Sequence, residues 1–275
     1  MGLPFQQPDG SASTFAHVMA RARLIERIGF DGIWFGDSIG RVRTPRPDTL
    51  LWLAVAAAAT EHIEVGSAVL QVPLRHPVEL AKRLFTMHGL TGGRFTAGLG
   101  AGSTRSDFDA VDVDYSQRFR LFNTALPIIR ALCRGEEVRG VNLAPWPDSR
   151  GGPPIVIGAW ESGIWVRRAA EQYDGWMASG RTTFRAMKEG LDRYRDAGGK
   201  RAMVATIDID LKAPHTQFSE DDRFSLHCDS QEAADRLQRL AELGFDDACL
   251  VRYDHTEADL TEEDLIAIRG LVGPA

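Results

Sequence analysis

Short β-branched and apolar runs alternate along the chain with longer stretches whose apolar positions recur at helical spacing. That alternation predicts βαβ units around a parallel sheet. Eight strand–helix pairs can be traced. A short strand at residues 3–6 precedes an amphipathic helix at 14–28, with Ser13 as N-cap and Gly29 at its end. DGIWFG (31–36) reads as a buried strand, and Asp48 caps a helix at 49–60. HIEVGSAVL (62–70) is the third strand, and a helix at 77–88 opens with Pro77, whose missing N–H costs nothing at that position. The fourth pair is a strand at 94–99 and a helix at 117–133; the fifth is PPIVIG (153–158) with a helix at 163–172. GWMAS (175–179) and a helix at 183–197 form the sixth. The strand AMVATIDIDL (202–211) alternates as if one face were partly wet, and its helix lies at 230–243. A strand at 247–251 and a helix at 262–271 complete the series.

Eight such pairs in 275 residues predict one domain, 1–275, folded as a (β/α)8 TIM barrel. A doubly wound open sheet has a compatible strand count and is the alternative. The segment 135–152 reads as a loop or small hairpin, and the loop after the seventh strand (213–223) is short.

In a barrel the chemistry belongs where strands end at the C-terminal face. The second strand ends on Asp37, a site carboxylate or a loop cap. The third delivers Arg75 and His76 to the same rim; His76 is either a general base or a residue that orders the turn before Pro77. The fourth runs into Gly100-Ala101-Gly102-Ser103, where glycines let backbone N–H groups approach an anion or flat ring, although the spacing is not a dinucleotide fingerprint. The fifth ends in Gly158-Ala159-Trp160-Glu161-Ser162-Gly163 at a helix start, whose free N–H groups suit a phosphate.

Composition narrows the classes. With 44% hydrophobic and 25% charged residues the chain is globular, and a net charge of −6 with dispersed basic residues argues against a nucleic-acid partner. No apolar run is long enough for a membrane span and no leader is recognisable at the start, which predicts a cytoplasmic protein. Cys133, Cys228 and Cys249 form no C-x-x-C pair and read as buried thiols; the seven histidines lack metal-ligand spacing, so no metal is expected.

Five blocks in order, GFDGIWFGD (29–37), VGSAVLQVPLRHPVELAK (65–82), LTGGRFTAGLGAG (90–102), DF (107–108) and PPIVIGAWESGIWVRRAAEQYDGWM (153–177), resemble the bacterial luciferase-like monooxygenase family, which includes FMN-dependent monooxygenases and F420-dependent dehydrogenases and reductases. The resemblance implies a barrel with FMN or F420 at its C-terminal mouth. It implies a non-proline cis peptide behind the flavin ring at Ser67-Ala68-Val69. Cofactor contacts follow at Gly100, Ala101 and Gly102, at Gly158, Ala159, Trp160, Ser162 and Gly163, and at Ser179. Asp37, His76 and Ser103 are the polar groups placed near the reacting atoms, in a dry pocket made by Trp34, Val69 and Phe108.

The chain departs from the family pattern where many F420-dependent dehydrogenases carry a proton-acceptor His and a proton-donor Glu; Ser38 and Ser103 stand there. Nor does it keep the arginine that luciferase itself places in the fourth-strand loop for the FMN phosphate, offering Ala101 or Arg105 instead. The leading expectation is a monooxygenase taking reduced FMN from a separate reductase and acting on a small organic substrate. Reduced F420 is the close alternative, and a non-catalytic flavin-binding protein or a barrel enzyme acting on a phosphorylated sugar are the others. A homo-oligomer is expected, with the Trp52, Leu53 and Val55 face as candidate interface.

Overall fold

The computed structural model describes residues 1–2, 11–39, 46–143, 146–160, 163–252 and 260–273. The first half comprises α1 (Phe15–Ile28), β1 (Gly32–Phe35), α2 (Thr49–Ala59), β2 (Glu64–Ser67), β3 (Leu70–Gln71), α3 (Pro77–Leu90), β4 (Phe95–Gly100), α4 (Arg105–Asp109) and α5 (Arg118–Cys133). The second half comprises β5 (Ile155–Gly158), α6 (Ile164–Gln172), β6 (Gly175–Ser179), α7 (Phe184–Asp196), β7 (Arg201–Asp210), β8 (Leu226–His227), α8 (Ser230–Leu243), β9 (Asp247–Val251) and α9 (Glu262–Arg269). Helix ends follow the residues that can satisfy free backbone groups. Asp48 accepts from the N–H groups of Leu50 and Leu51, Asp229 from Glu232, and Gly29 and Gly244 close α1 and α8 at φ 94° and 105°. The cap of α1 is Thr14, which accepts from His17 N, rather than Ser13; the Ser13 hydroxyl instead lies 2.9 Å from the His17 ring.

All named strand pairs are parallel. They run β1-β2-β4-β5-β6-β7, with β9 on the other edge of β7, β3 against the upper end of β4, and β8 against the upper end of β7. This is a curled α/β sheet. Gly2 N donates to Leu250 O and Trp34 N to Met1 O, both at 3.0 Å, so residues 1–2 touch the two outer strands at once. The predicted first strand at 3–6 lies outside the described residues, as do residues 40–45 of the loop after β1.

Strand alternation divides the core into two layers. Ile33, Phe35, Val65, Phe95, Ala97, Leu99, Ile155, Ile157, Trp176, Val204 and Leu250 pack outward under the helices. Trp34, Val156, Met177, Met203, Ala205 and Cys249 form a separate cluster on the concave side, with Ala68 and Val69 packed on it. Gly66 makes room for the Trp34 indole, since a Cβ there would lie 2.2 Å from the ring. Below this floor Arg201 reaches Glu64 at 2.9 and 2.8 Å and Asp247 at 2.8 and 3.1 Å, and Thr96 donates to Glu64 at 2.5 Å. These side chains come from four strands, and the two carboxylates raise the guanidinium's affinity for its proton.

The structure refines the predicted elements in four places. The long third strand is two pieces, β2 and β3, separated by a cis peptide between Ala68 and Val69 where the resemblance placed one. Strand β7 carries a bulge: Ala205 and Thr206 together oppose the one residue between Ala248 and Leu250 of β9, and Thr206 sits at φ 60°. Hydrophobic parity explains the bulge. Met203 and Ala205 face inward before it and Ile207 and Ile209 outward after it, so an unbroken strand would press Asp208 and Asp210 into the helix layer. The short helix α4 and strand β8 carry too few periodic residues to be read from sequence. Finally, Leu53 is fully buried and Trp52 packs on Phe35 with ring centroids 6.4 Å apart, so the expected interface face of α2 lies largely against the sheet, leaving Leu51 exposed.

The loop after β7 is tied down throughout. Phe218 and Phe224 pack on Phe184, Phe224 N donates to Thr182 O, and Arg236, itself buried, donates to Ser225 O and Thr216 O. Lys212 pairs with Asp264, whose carboxylate also closes the capping box of α9. The three cysteines are free and buried, and burial pushes Cys133 up to about 11 and Cys249 up to about 12.

Gly66→Ala is expected to cost about 2–3 kcal/mol by overpacking, read by urea unfolding, and most of that loss should return in the double variant with Trp34→Leu. An uncompensated double variant would show that the floor does not depend on this contact. The Asp264 carboxyl is held at about 2 by its Lys212 and Thr261 hydrogen bonds, against burial acting the other way. Because the folded value lies below the unfolded one, its stabilisation is complete above about pH 4 and fades as pH falls towards 2. The stability difference between wild type and Asp264→Asn should therefore shrink across that window in acid-titrated denaturation, and a difference independent of pH would contradict the assignment.

Candidate functional site

The upper ends of β1, β3 and β4 meet in a buried polar knot. Asp37 ends β1 with a side chain 2% exposed, and Arg75 grips both its oxygens at 2.6 and 2.9 Å. Gln71 N adds a bond to Asp37 at 2.9 Å, and Thr49 bridges Gly36 O and Asp37 at 3.2 and 3.4 Å. The carboxylate pair raises the Arg75 pKa against the opposing effect of burial. Beside it, fully buried Asp107 of α4 accepts from the Ser38 hydroxyl at 3.1 Å to each oxygen and from the Gln71 side-chain amide at 2.7 Å. Donors from Thr49, Gln71 and Arg75 surround the Asp37 carboxylate, which ties the end of β3 to the end of β1.

The glycine loop is shaped by a second bulge, the one where β2 gives way to β3 between Ser67 and Leu70. A Cβ on Gly98 would lie 1.9 Å from Ser67 O, and one on Gly100 or Gly158 would lie 2.6 Å from a Val69 methyl. Gly102, at φ 80°, lets Gln71 Oε1 and the Phe108 ring approach within 2.7 and 2.8 Å of where its Cβ would be. The space beside these glycines is thus filled by the protein itself, and the surface offered at the mouth is the Ala68-Val69 ledge, half-buried above the Trp34 floor.

The other predicted positions distribute around this ledge. Ser67 is buried and donates to Gly98 O at 2.9 Å. Ala101 is half-buried and Ser103 exposed, its carbonyl accepting from Tyr115 OH at 3.2 Å. His76 is exposed at the N-cap of α3, without a capping side-chain bond. Ala159 O accepts from the Trp176 indole at 3.1 Å, Trp160 is 53% exposed, and Gly163 caps α6 with its N–H on Trp160 O. Ser179 accepts from Arg181 N at 3.2 Å at the upper end of β6. Ser162 lies outside the described residues. Of the dry-pocket trio, Trp34 lies in the floor, Val69 at the ledge, and Phe108 beneath Gly102, edge-on to Tyr115.

Sequence reasoning missed several residues. Gln71 and Asp107 hide because neither residue type nor spacing marks them; only the fold brings them together. Arg118 is another: it converges with Arg105, the cation that the sequence already offers, on the Tyr115 ring next to Ser103, 4.0 and 4.9 Å from its centroid. A group of Asp208, Asp210, His227 and Arg252 lines the upper ends of β7, β8 and β9. The alternating acids of TIDIDL were the available signal for that group. Among the described residues no helix is long and apolar enough to cross a membrane, and no three acidic, His or Cys side chains are grouped to hold a metal ion.

The family model for the luciferase-like monooxygenases matches residues 2–223. The chain belongs to the luciferase-like monooxygenase family. This member is 35% identical over 118 residues to 4-hydroxyprotoasukamycin monooxygenase of Streptomyces nodosus, covering 42% of the chain and 31% of that protein. It is 35% identical over 136 residues to the F420-dependent glucose-6-phosphate dehydrogenase of Beutenbergia cavernae, covering 46% and 40%. The alignments thus span well under two thirds of these relatives. In three dimensions this luciferase-like chain superposes on monooxygenase RslO1 from Streptomyces bottropensis with a TM-score of 0.79 at 16% identity, covering 98% and 96% of the two chains. The oxygenating constituent of 3,6-diketocamphane monooxygenase from Pseudomonas putida, in complex with FMN, superposes with a TM-score of 0.74 at 16% identity and the same coverage. At these identities the structures speak for the fold.

The knot makes a testable claim. Asp37→Asn and Arg75→Met should each cost about 3 kcal/mol, because each leaves a buried charge without its partner. The double variant should lose clearly less than the sum in a denaturation cycle; strict additivity would mean the pair is not the joint.

Proposed function

We propose that the chain is a flavin-dependent oxidoreductase, a monooxygenase that takes reduced FMN from a separate reductase and acts on a small organic molecule at the C-terminal mouth of a closed (β/α)8 barrel formed by one domain. Closure is supported by residues 1–2, which bond to both β9 and β1. The cofactor reading is carried by one arrangement: an apolar ledge, Ala68-Val69, with paired guanidiniums at its rim. A flat ring would rest on the ledge, and Arg105 and Arg118, stacked on Tyr115 beside Ser103, would meet a phosphate there. This supplies the cation missing at Ala101.

Reduced FMN, when bound, supplies the electrons for oxygen chemistry. This chain's own residues supply the surroundings. Trp34, Met177, Met203 and Val156 close the floor to water. The Asp37–Arg75 pair and the Asp107–Gln71–Ser38 bonds hold the ledge and the Gly100–Ser103 turn at fixed separation. Reduced F420 is the second reading, favoured by the F420-dependent relative.

Titration with FMN, reduced FMN and F420, followed by absorbance and tryptophan fluorescence, should show micromolar or tighter binding of one of them. Replacing Arg105 and Arg118 together by Ser should weaken FMN at least tenfold, the loss of about 1.4 kcal/mol, while leaving phosphate-free riboflavin unchanged. Absence of binding by all three cofactors would overturn the proposal, and equal loss for riboflavin would remove the phosphate role from the two arginines.

A further inference from the structure

The inner wall above β7 is built from groups that the ledge and the knot do not use. After the bulge at Thr206, Ile207 and Ile209 pack outward, which leaves Asp208 and Asp210 on the concave side. On β8 and its flanks the pattern matches: Phe224, Leu226 and Cys228 are buried in the outer layer, so His227 faces the same way as Asp208. His227 stands opposite Asp210 in register, and its Nε2 lies 3.3 Å from Asp208 Oδ2. Asp208 is 14% exposed and His227 36% exposed, so the carboxylate is largely screened from solvent while the imidazole is partly open to it.

The main chain of His227 is fixed as well. Its carbonyl accepts from both Thr216 N, at 3.1 Å, and Thr216 Oγ1, at 2.8 Å, and Thr216 is tied in turn to Arg236. A partly exposed imidazole, anchored at its backbone and oriented by a carboxylate on one nitrogen, is the arrangement that proton transfer requires.

We propose that His227, oriented by Asp208, is the proton acceptor of the site and that it serves a neutral hydroxyl-bearing substrate, an alcohol or a phenol. This rests on the cofactor reading above for its place in the reaction. In a closed eight-stranded ring that counts the segment at residues 1–2 as the first strand, β2 with β3 is third and β7 seventh, so this wall faces the Ala68-Val69 ledge across the mouth. A substrate held between them presents its reacting carbon to the ledge and its hydroxyl to His227. The O–H bond breaks, its electron pair stays on the substrate oxygen, and the proton passes to His227 Nδ1. The Asp208 carboxylate stabilises the imidazolium so formed.

The charged neighbours set the substrate's charge. Among the described residues Arg252 reaches Asp210 at 3.4 Å, while Lys212 is turned to Asp264 at the rim. The two carboxylates, Asp208 and Asp210, disfavour a substrate that arrives already as an anion, whereas proton transfer from a bound neutral hydroxyl to His227 creates imidazolium and oxyanion together and leaves the net charge of the wall unchanged. The wall thereby replaces, from the other side of the mouth, the acid–base groups that Ser38 and Ser103 do not provide.

The test uses 4-nitrophenol as probe, with the phenolate absorbance read against pH on the full-length protein without cofactor, and an FMN titration run in parallel on every variant. Bound probe should ionise about one pH unit lower than free probe, a tenfold change in its acidity. His227→Gln should abolish the displacement and Asp208→Asn should reduce it, with FMN affinity unchanged in both. The full displacement persisting in His227→Gln, or no probe binding at millimolar concentration, would overturn the assignment. A displacement that depends on His227 in a protein that binds no flavin supports the proton acceptor and sinks the cofactor reading alone.

Discussion

The mouth of this barrel-like sheet depends on one ion pair. Asp37 closes β1 and Arg75 follows β3; locked together with almost no exposure, they fix where the chain must turn between Ser67 and Leu70. The bulge that results pushes Val69 against β4 and β5, and those strands accept it only because Gly100 and Gly158 have no side chains. Gln71, at the far end of the bulge, then carries the constraint onward to Asp107 and so to the turn after β4. Ledge, glycine strands and rim are one mechanical unit, and the pair at its root is buried deeply enough to resist screening by salt.

This explains which features were legible in the sequence. The strand–helix alternation showed because burial on two sides leaves a periodic trace, and Asp48, Gly29 and Pro77 marked helix ends by mechanisms that act locally. The glycines of GLGAG are visible in the sequence, but no local pattern shows that Ser67, Val69 and Phe108 occupy the places where their Cβ atoms would stand. Asp107 and Gln71 lie inside blocks that carry the family resemblance, and nothing within those blocks marks them, because a hydrogen bond between residues 36 apart leaves no local pattern.

The polar wall tells the same story from the other side. Alternating acids in TIDIDL suggested a wet face, but the partner of Asp208 comes from a two-residue strand after a long irregular stretch, beyond the reach of periodicity. From the sequence the loop in between reads only as short. Three phenylalanines and Arg236 make it a fixed part of the wall.

The bulge in β7 divides that strand into two segments with separate phases, the lower one supplying Met203 and Ala205 to the floor and the upper one supplying Asp208 and Asp210 to the rim. Thr206, held in the left-handed region, is the splice between them. Loss of that one residue would restore one-for-one pairing with β9 and leave every flanking side chain on its present face. The joint is therefore a place where the chain can change length without exchanging its inside for its outside, so rim and floor are free to diversify as independent modules.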